Sequence, residues 1–277
     1  MKFSKALFLE YFQRPSILIN RAKINRKMSF SPIKYGDHPQ QYFLSYIPKK
    51  ITQKEVICFI HSGSWTFGSP KGFRFVAKKF RDLGYPVILL GYRRMPHAHY
   101  KEIINDIFIG FNAAKKHIFS KTNLSNFNII GASAGAHLGA LLVYDSHLQH
   151  IHNTNSSDFK RFCSIAGPLS FNTKLPKILK RLLFQLFVER YHFVLGNPIV
   201  HANRTNTKVL CIHSKKDPLC PYEQSLAFTK KLNNLKLNTA KLETVTDKDL
   251  FHSSLIHKLF LDSNCIHFGV LKKWLIE

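Results

Sequence analysis

The sequence predicts a single α/β domain built on a mostly parallel central sheet with helices on both faces and a small helical cap. Three observations carry that expectation. Apolar runs of strand length recur along the chain, as in Val56-Ile57-Cys58-Phe59-Ile60 and Val87-Ile88-Leu89-Leu90, which marks strands covered on both faces. Segments of helical periodicity alternate with them, and a strand-helix-strand rhythm implies parallel pairing through crossovers. Finally, Asn128-Ile129-Ile130-Gly131-Ala132-Ser133-Ala134-Gly135-Ala136-His137-Leu138 passes from an apolar run through a turn of small residues into an Ala/Leu-rich segment.

Taken in order, residues 41–47 alternate aromatic and polar side chains and end at Pro48, as a half-buried early strand would. The strand over 55–60 runs straight into His61-Ser62-Gly63-Ser64-Trp65-Thr66-Phe67-Gly68. A helix follows over 70–83, with Phe73, Val76, Ala77 and Phe80 on one face and Gly84 ending it. The strand over 86–91 leads to a second helix at about 99–117. Beyond the small-residue turn come a strand over 161–167 and a basic, apolar segment over 175–194. There Leu179, Leu182, Leu183, Leu186 and Phe187 recur at helical spacing, so the segment is either a cap whose apolar face lines a pocket or a helix packed on the sheet. A strand over 207–213, a loop over 214–221, a helix over 222–232, a strand over 239–245 and a loop over 250–254 complete the pattern.

Length and composition bound the rest. The 277 residues contain no Pro-rich or Gly/Ser-rich linker and no internal repeat, so one large domain over 29–277 is expected, with a cap at 168–200. Residues 1–28 read as a basic amphipathic extension: a surface helix, a lid or a membrane-touching segment. Its opening resembles a signal peptide, but Glu10 and Gln13-Arg14 interrupt the apolar run and no small-x-small cleavage site follows. No stretch is long and apolar enough to span a bilayer. The five cysteines are odd in number, and Cys58, Cys163 and Cys211 fall inside buried strands, so they read as core residues in a reducing, cytoplasmic setting.

Lysine and arginine outnumber the acids 41 to 16, a formal net charge of +25. The basic residues are scattered and no nucleic-acid module accompanies them, which argues against specific nucleic-acid binding. A solvated basic surface is the plain reading, and peripheral contact with an anionic membrane is the next. Metal-ligand spacing is absent and the histidines are dispersed, so neither a metal nor an organic cofactor is expected.

The chemistry is concentrated in four places. Gly131-Ala132-Ser133-Ala134-Gly135 has the Gly-x-Ser-x-Gly form of a nucleophile elbow, a strand-to-helix turn that lifts a serine clear of the sheet. The small-residue loop after the strand over 55–60 can turn backbone N–H groups inward; Gly63 and Ser64, with Ala134 after the serine, are the candidate oxyanion donors. Trp65 is the candidate substrate-binding residue. Asp217, in the loop at the C-terminal end of a late strand, is the candidate acid ahead of Asp247 and Asp249, because open α/β sheets place their chemistry at that edge. His252, after the last strand, is preferred as base over His257 and His267, which fall in helices, and over His61, which precedes the serine.

These pieces, together with Tyr35-Gly36-Asp37, Gly91-Tyr92-Arg93, His213-Ser214-Lys215-Lys216-Asp217-Pro218-Leu219-Cys220-Pro221 and Phe251-His252-Ser253-Ser254, resemble the α/β-hydrolase branch that holds hormone-sensitive-lipase-like esterases, the BD-FAE group and kynurenine formamidases. The likeness runs from about residue 35 to the C-terminus. It departs from the family in its excess of basic residues and in one loop, where Ser62 and Ser64 replace two glycines; serine disfavours the positive φ that glycine adopts freely. The resemblance implies a serine hydrolase with Ser133, Asp217 and His252 as triad, acting on small or medium acyl esters. An arylformamidase-type amidase would use the same triad. A weakly catalytic relative that binds anionic membrane surfaces is the reading from a different class. An imidazole base makes activity fall as pH drops through about 6 to 7.

Overall fold

The computed structural model describes residues 15–203 and 205–277, with side chains from residue 19 onward. Residues 1–14 of the expected N-terminal extension lie outside the described residues.

A short antiparallel start opens the sheet. Helix α1 (Pro15–Lys27) precedes β1 (Ile33–Lys34) and β2 (Tyr42–Tyr46). Then come β3 (Val56–Ile60), α2 (Arg74–Arg81), β4 (Val87–Leu90), α3 (Tyr100–Thr122), β5 (Phe127–Ala132), α4 (Ala134–Tyr144), α5 (Ser146–Ile151) and β6 (Phe159–Ile165). Three helices, α6 (Lys177–Leu186), α7 (Arg190–Leu195) and α8 (Pro198–His201), fill the crossover to β7 (Lys208–Ser214). The chain closes with α9 (Tyr222–Leu235), β8 (Ala240–Val245), α10 (Ser253–Leu261) and α11 (Ile266–Ile276).

The strands form one eight-stranded sheet in the order β1-β2-β4-β3-β5-β6-β7-β8. Pairing is parallel from β4 through β8, and only β1 and β2 are antiparallel. All five residues of β3 and all six of β5 are buried, as strands covered on both sides must be. Two separate cores explain this. On one face α3, α4, α9 and the crossover helices pack Phe108, Phe111, Leu138, Leu183 and Phe228. The other face carries α2, α10 and α11, with Phe75, Phe80, Leu259 and Trp274.

The sheet's second strand departs from expectation. Only Ser45 of β2 is not fully buried, because alternation there separates two cores rather than core from water: Phe43 enters the first and Tyr42, Leu44 and Tyr46 enter the second. The helix expected over 70–83 begins with a 3₁₀ turn at Pro70–Phe73 and becomes α-helical at Arg74. The segment expected as one helix over 175–194 is two, broken at Phe187, where φ −97° and ψ 84° leave the helical region.

Helix α1 is docked on α2 and α10. Its Asn25 side chain accepts from the Phe75 N–H (3.0 Å) and donates to the Gly72 carbonyl (3.0 Å), satisfying groups at the start of α2. Ile24 and Met28 enter the second core. None of the described residues of α1 lines the cavity considered next.

Candidate active site

The elbow between β5 and α4 is shaped by backbone contact. A Cβ on Gly135 would stand 2.1 Å from the Ile60 carbonyl oxygen, and one on Gly131 would stand 2.4 Å from the Gly135 carbonyl oxygen. Only hydrogen fits at either place, so the helix can pass directly behind β3. Ser133, between them, has φ 51° and ψ −118°. A non-glycine residue in that region is strained by about 1–3 kcal/mol, and the surrounding bonds hold it there. Its N–H donates to Ile165 of β6 (2.8 Å), and its carbonyl accepts from Ala136 (2.9 Å) and His137 (3.1 Å) as α4 begins. Ala134 is the first residue of α4, where helix N–H groups have no intrahelical carbonyl.

The loop after β3 lies against the same turn. Gly63 has φ 137°, and its carbonyl accepts from the N–H groups of Thr66 and Phe67, each at 2.9 Å. Ser64 and Trp65 take φ 51° and 59°. The serine at position 64 therefore adopts the left-handed backbone that a glycine would take, at a cost of about 1–2 kcal/mol. Beneath the loop, the buried His61 ring stacks on Tyr92 with centroids 4.4 Å apart, and burial lowers its pKa to about 4. The Tyr92 hydroxyl donates to the His61 carbonyl at 3.1 Å.

Asp217 and His252 meet Ser133 from two loops at the C-terminal edge of the sheet. His252 Nε2 is 2.7 Å from Ser133 Oγ, and His252 Nδ1 is 2.6 Å from Asp217 Oδ2. A carboxylate only accepts, so the imidazole proton sits on Nδ1 and Nε2 offers its lone pair to the serine hydroxyl. The other oxygen of Asp217 accepts the N–H groups of Leu219 (2.9 Å) and Cys220 (2.8 Å). Burial alone would raise the pKa of Asp217, but the charge of His252 and hydrogen bonds from His213 and His252 outweigh it and hold the carboxyl well below its ordinary value. It stays ionised while buried.

A second imidazole, which the sequence reading did not single out, completes this arrangement. His213, the penultimate residue of β7, is fully buried, with Nε2 2.9 Å from the Cys220 carbonyl and 3.3 Å from Asp217 Oδ2. Both neighbours of Nε2 are acceptors, so Nε2 carries the proton and Nδ1 takes the Ser225 hydroxyl at 2.7 Å. The only available signal was its place at the strand end four residues before Asp217. Cys220 borders the cavity as well, but burial, followed by the nearby Asp217 charge, raises its thiol pKa well above the ordinary value, so it is no rival nucleophile.

His257, His267 and Asp247, also weighed from sequence, are engaged elsewhere. His257 Nδ1 lies 2.9 Å from the Ser253 carbonyl, and His267 bridges Glu243 (2.6 Å) and Asp247 (2.9 Å).

Ser133 and His252 open onto a cavity of about 380 Å³. Gly63, Ser64 and Trp65 line it, although the Trp65 side chain is 1% exposed and packs edge-on to His137, so it shapes a wall more than it reaches inward. Phe67, Ile178, Leu182 and Ile256 make much of the remainder apolar. Helix α6 packs on the core and borders the cavity. Leu183 and Leu186 pack into the core, Leu179 and Leu182 touch both core and cavity, and Ile178 lines the cavity.

Known proteins are similar to this chain in sequence and in fold. The esterase LipC of Mycobacterium tuberculosis is 25% identical over 216 residues, which are 72% of this chain and 53% of that protein, so the chain spans about half the length of this relative. A truncated carbohydrate esterase from gut microbiota superposes with a TM-score of 0.74 at 17% identity, covering 90% of this chain and 95% of that one. Esterase B of Lactobacillus rhamnosis gives 0.74 at 18% identity, covering 96% and 92%. The BD-FAE family model matches residues 45–232, a stretch that contains the elbow, the loop after β3, the crossover helices and Asp217. With its sheet order and elbow, that match makes the chain a member of the BD-FAE family, with the α/β-hydrolase fold.

Proposed function

We propose that this protein is a serine carboxylesterase that cleaves small or medium acyl esters through an acyl-enzyme. The observation that carries the reading is the continuous relay Ser133 Oγ, His252 Nε2, His252 Nδ1 and Asp217 Oδ2, with links of 2.7 and 2.6 Å, opening onto an apolar cavity.

Ser133 attacks the ester carbonyl while His252 Nε2 removes its proton, and Asp217 stabilises the imidazolium that results. The N–H groups of Gly63, Ser64 and Ala134 bind the developing oxyanion; one such donor contributes about 10²–10³ in rate. His252 then returns the proton to the departing alkoxide. Water enters, gives its proton to His252 and attacks the acyl carbonyl, and Ser133 leaves with its proton restored. The acyl group occupies the space between Phe67, Ile178 and Leu182, whose lining favours hydrocarbon over charge. The esterase activity named for LipC supports the same reading.

The test is reaction with a fluorophosphonate probe, with the labelled peptide identified by mass spectrometry and Ser133→Ala as the comparison. Labelling at Ser133, absent in the variant, is expected, together with turnover of p-nitrophenyl butyrate. A folded wild-type protein that neither reacts with the probe nor hydrolyses the ester overturns the assignment. Hydrolysis of an N-formyl aryl amine faster than of the ester would move the reading to the amidase with the same triad.

A further inference from the structure

The crossover helices have a third surface. On α6, Lys177, Lys180, Arg181 and Phe184 fall at spacings of three and four and share the face turned away from both core and cavity, and all four are exposed. The apolar surface continues beyond the break: Phe184 is 63% exposed, Val188 66%, Tyr191 55%, Val194 57% and Leu195 46%. Five large apolar side chains within twelve residues form a patch that a protein surrounded only by water rarely shows. The same stretch, 174–195, carries the exposed Lys174, Lys177, Lys180, Arg181 and Arg190, and Glu189 is its one acid. The aromatic anchor is already ordered. Phe184 stacks on Phe193 with centroids 6.4 Å apart, and Lys180 Nζ lies 5.8 Å from the Phe184 ring centroid.

We infer that this face of the cap docks on an anionic lipid surface. Aromatic and aliphatic side chains rimmed by lysine and arginine match a membrane interface, where the rings enter the headgroup boundary and the cations meet acidic lipid. The charge of the whole molecule, +25, favours the same approach. A nucleic acid would use the cations and leave Val188, Val194 and Leu195 facing water. The docking surface stands without the esterase reading. One consequence does rest on that reading: Ile178 and Leu182, on the flank of the same helix, place the cavity beside the lipid, so that an ester dissolved in the bilayer enters without crossing water.

Sedimentation of the full chain with vesicles of phosphatidylcholine alone, or of phosphatidylcholine with phosphatidylglycerol, tests the surface without turnover. Binding to the anionic vesicles should be at least about tenfold tighter. Combining Phe184→Ser, Val188→Ser and Tyr191→Ser should weaken it at least about tenfold, with hydrolysis of water-soluble p-nitrophenyl acetate and the melting temperature unchanged. Lys49→Glu with Lys50→Glu, two exposed residues that follow β2 at the opposite end of the sheet, should bind as wild type. If the triple variant misfolds, Lys180→Glu with Arg181→Glu decides by the same criterion. The inference is overturned by equal affinity for neutral and anionic vesicles, by wild-type binding in the cap variants, or by equal loss in the Lys49/Lys50 control. Concentration-dependent dimerisation removed by the triple variant, with vesicle binding intact, would assign the patch to a second copy and overturn it too. Failure of ester hydrolysis with vesicle binding retained would count against the esterase reading alone.

Discussion

The elbow and the proposed cap, the crossover helices within residues 168–200, border one cavity and are built by opposite means. In the elbow the backbone does the positioning: residues 127–132 and 134–144 are buried throughout, two glycines admit no Cβ, and Ser133 is held at φ 51°. The cap contributes side chains instead, with helices that bury one face, line the cavity with another and expose a third. Geometry held by backbone contact tolerates no partial change, whereas a wall of side chains can be altered a few methylenes at a time. The proposed chemistry therefore sits on the first region and the proposed acyl preference on the second.

Changes in the elbow should have the largest effects. Ser133→Ala should lower kcat/KM for p-nitrophenyl butyrate by about 10⁴-fold or more, with the urea unfolding midpoint within a small margin of wild type. Gly135→Val should cost several kcal/mol, on the order of 3–5, because its Cβ meets the Ile60 carbonyl oxygen, a backbone atom that cannot rotate away. Chemical denaturation measures that loss directly. If Gly135→Val were as stable and active as wild type, the contrast between the two regions would disappear.

Acid should act on both regions. Burial lowers the pKa of His61, beneath the elbow, and of His137, whose Nε2 lies 2.7 Å from the cap carbonyl of Gly196, from 6.5 to about 4. A histidine with a lowered folded pKa binds its proton more readily in the unfolded chain. Its contribution is whole above about 6.5, shrinks as pH falls toward 4, and changes no further below that. Unfolding free energy should drop across that window, on the order of 3 kcal/mol per imidazole, as a pH series of denaturant melts would measure. A flat series over that range would place solvent at both rings.

The smallest effect belongs to the cap. Leu182→Ala should leave the unfolding midpoint nearly unchanged, because Leu182 is only partly buried, and should move acyl-length preference toward longer chains by about tenfold or less. Relative kcat/KM for acetate, butyrate, hexanoate and octanoate esters reads it out. A loss equal for all lengths would remove Leu182 from the acyl wall.

The same contrast governs what could be read from the residues alone. The sheet, its parallel sense and the meeting of Ser133, Asp217 and His252 were legible because apolar runs, small-residue turns and position at strand ends are local signals. The left-handed backbone of Ser64 and Trp65 was not, since neither residue favours it and the loop imposes it through the bonds to the Gly63 carbonyl. Nor was the break at Phe187 visible: no glycine or proline falls between Lys177 and Leu195, and α6 ends where Phe187 is buried against Tyr100, His137 and Phe171. His213 was hidden among fifteen histidines, because its partners, Cys220 and Ser225, come from the loop and helix that follow.

The crossover from β6 to β7 joins two strands that are already paired, from Arg161 with Lys208 to Ile165 with Ile212. Its two ends are therefore fixed as neighbours whatever lies between them, and the entropy of closing such a loop grows only slowly with length. The length and lining of the crossover can therefore vary, provided that the core contacts of Leu179, Leu183 and Leu186 and the bond from His137 to the Gly196 carbonyl are kept, so new substrate ranges are accessible without a new fold.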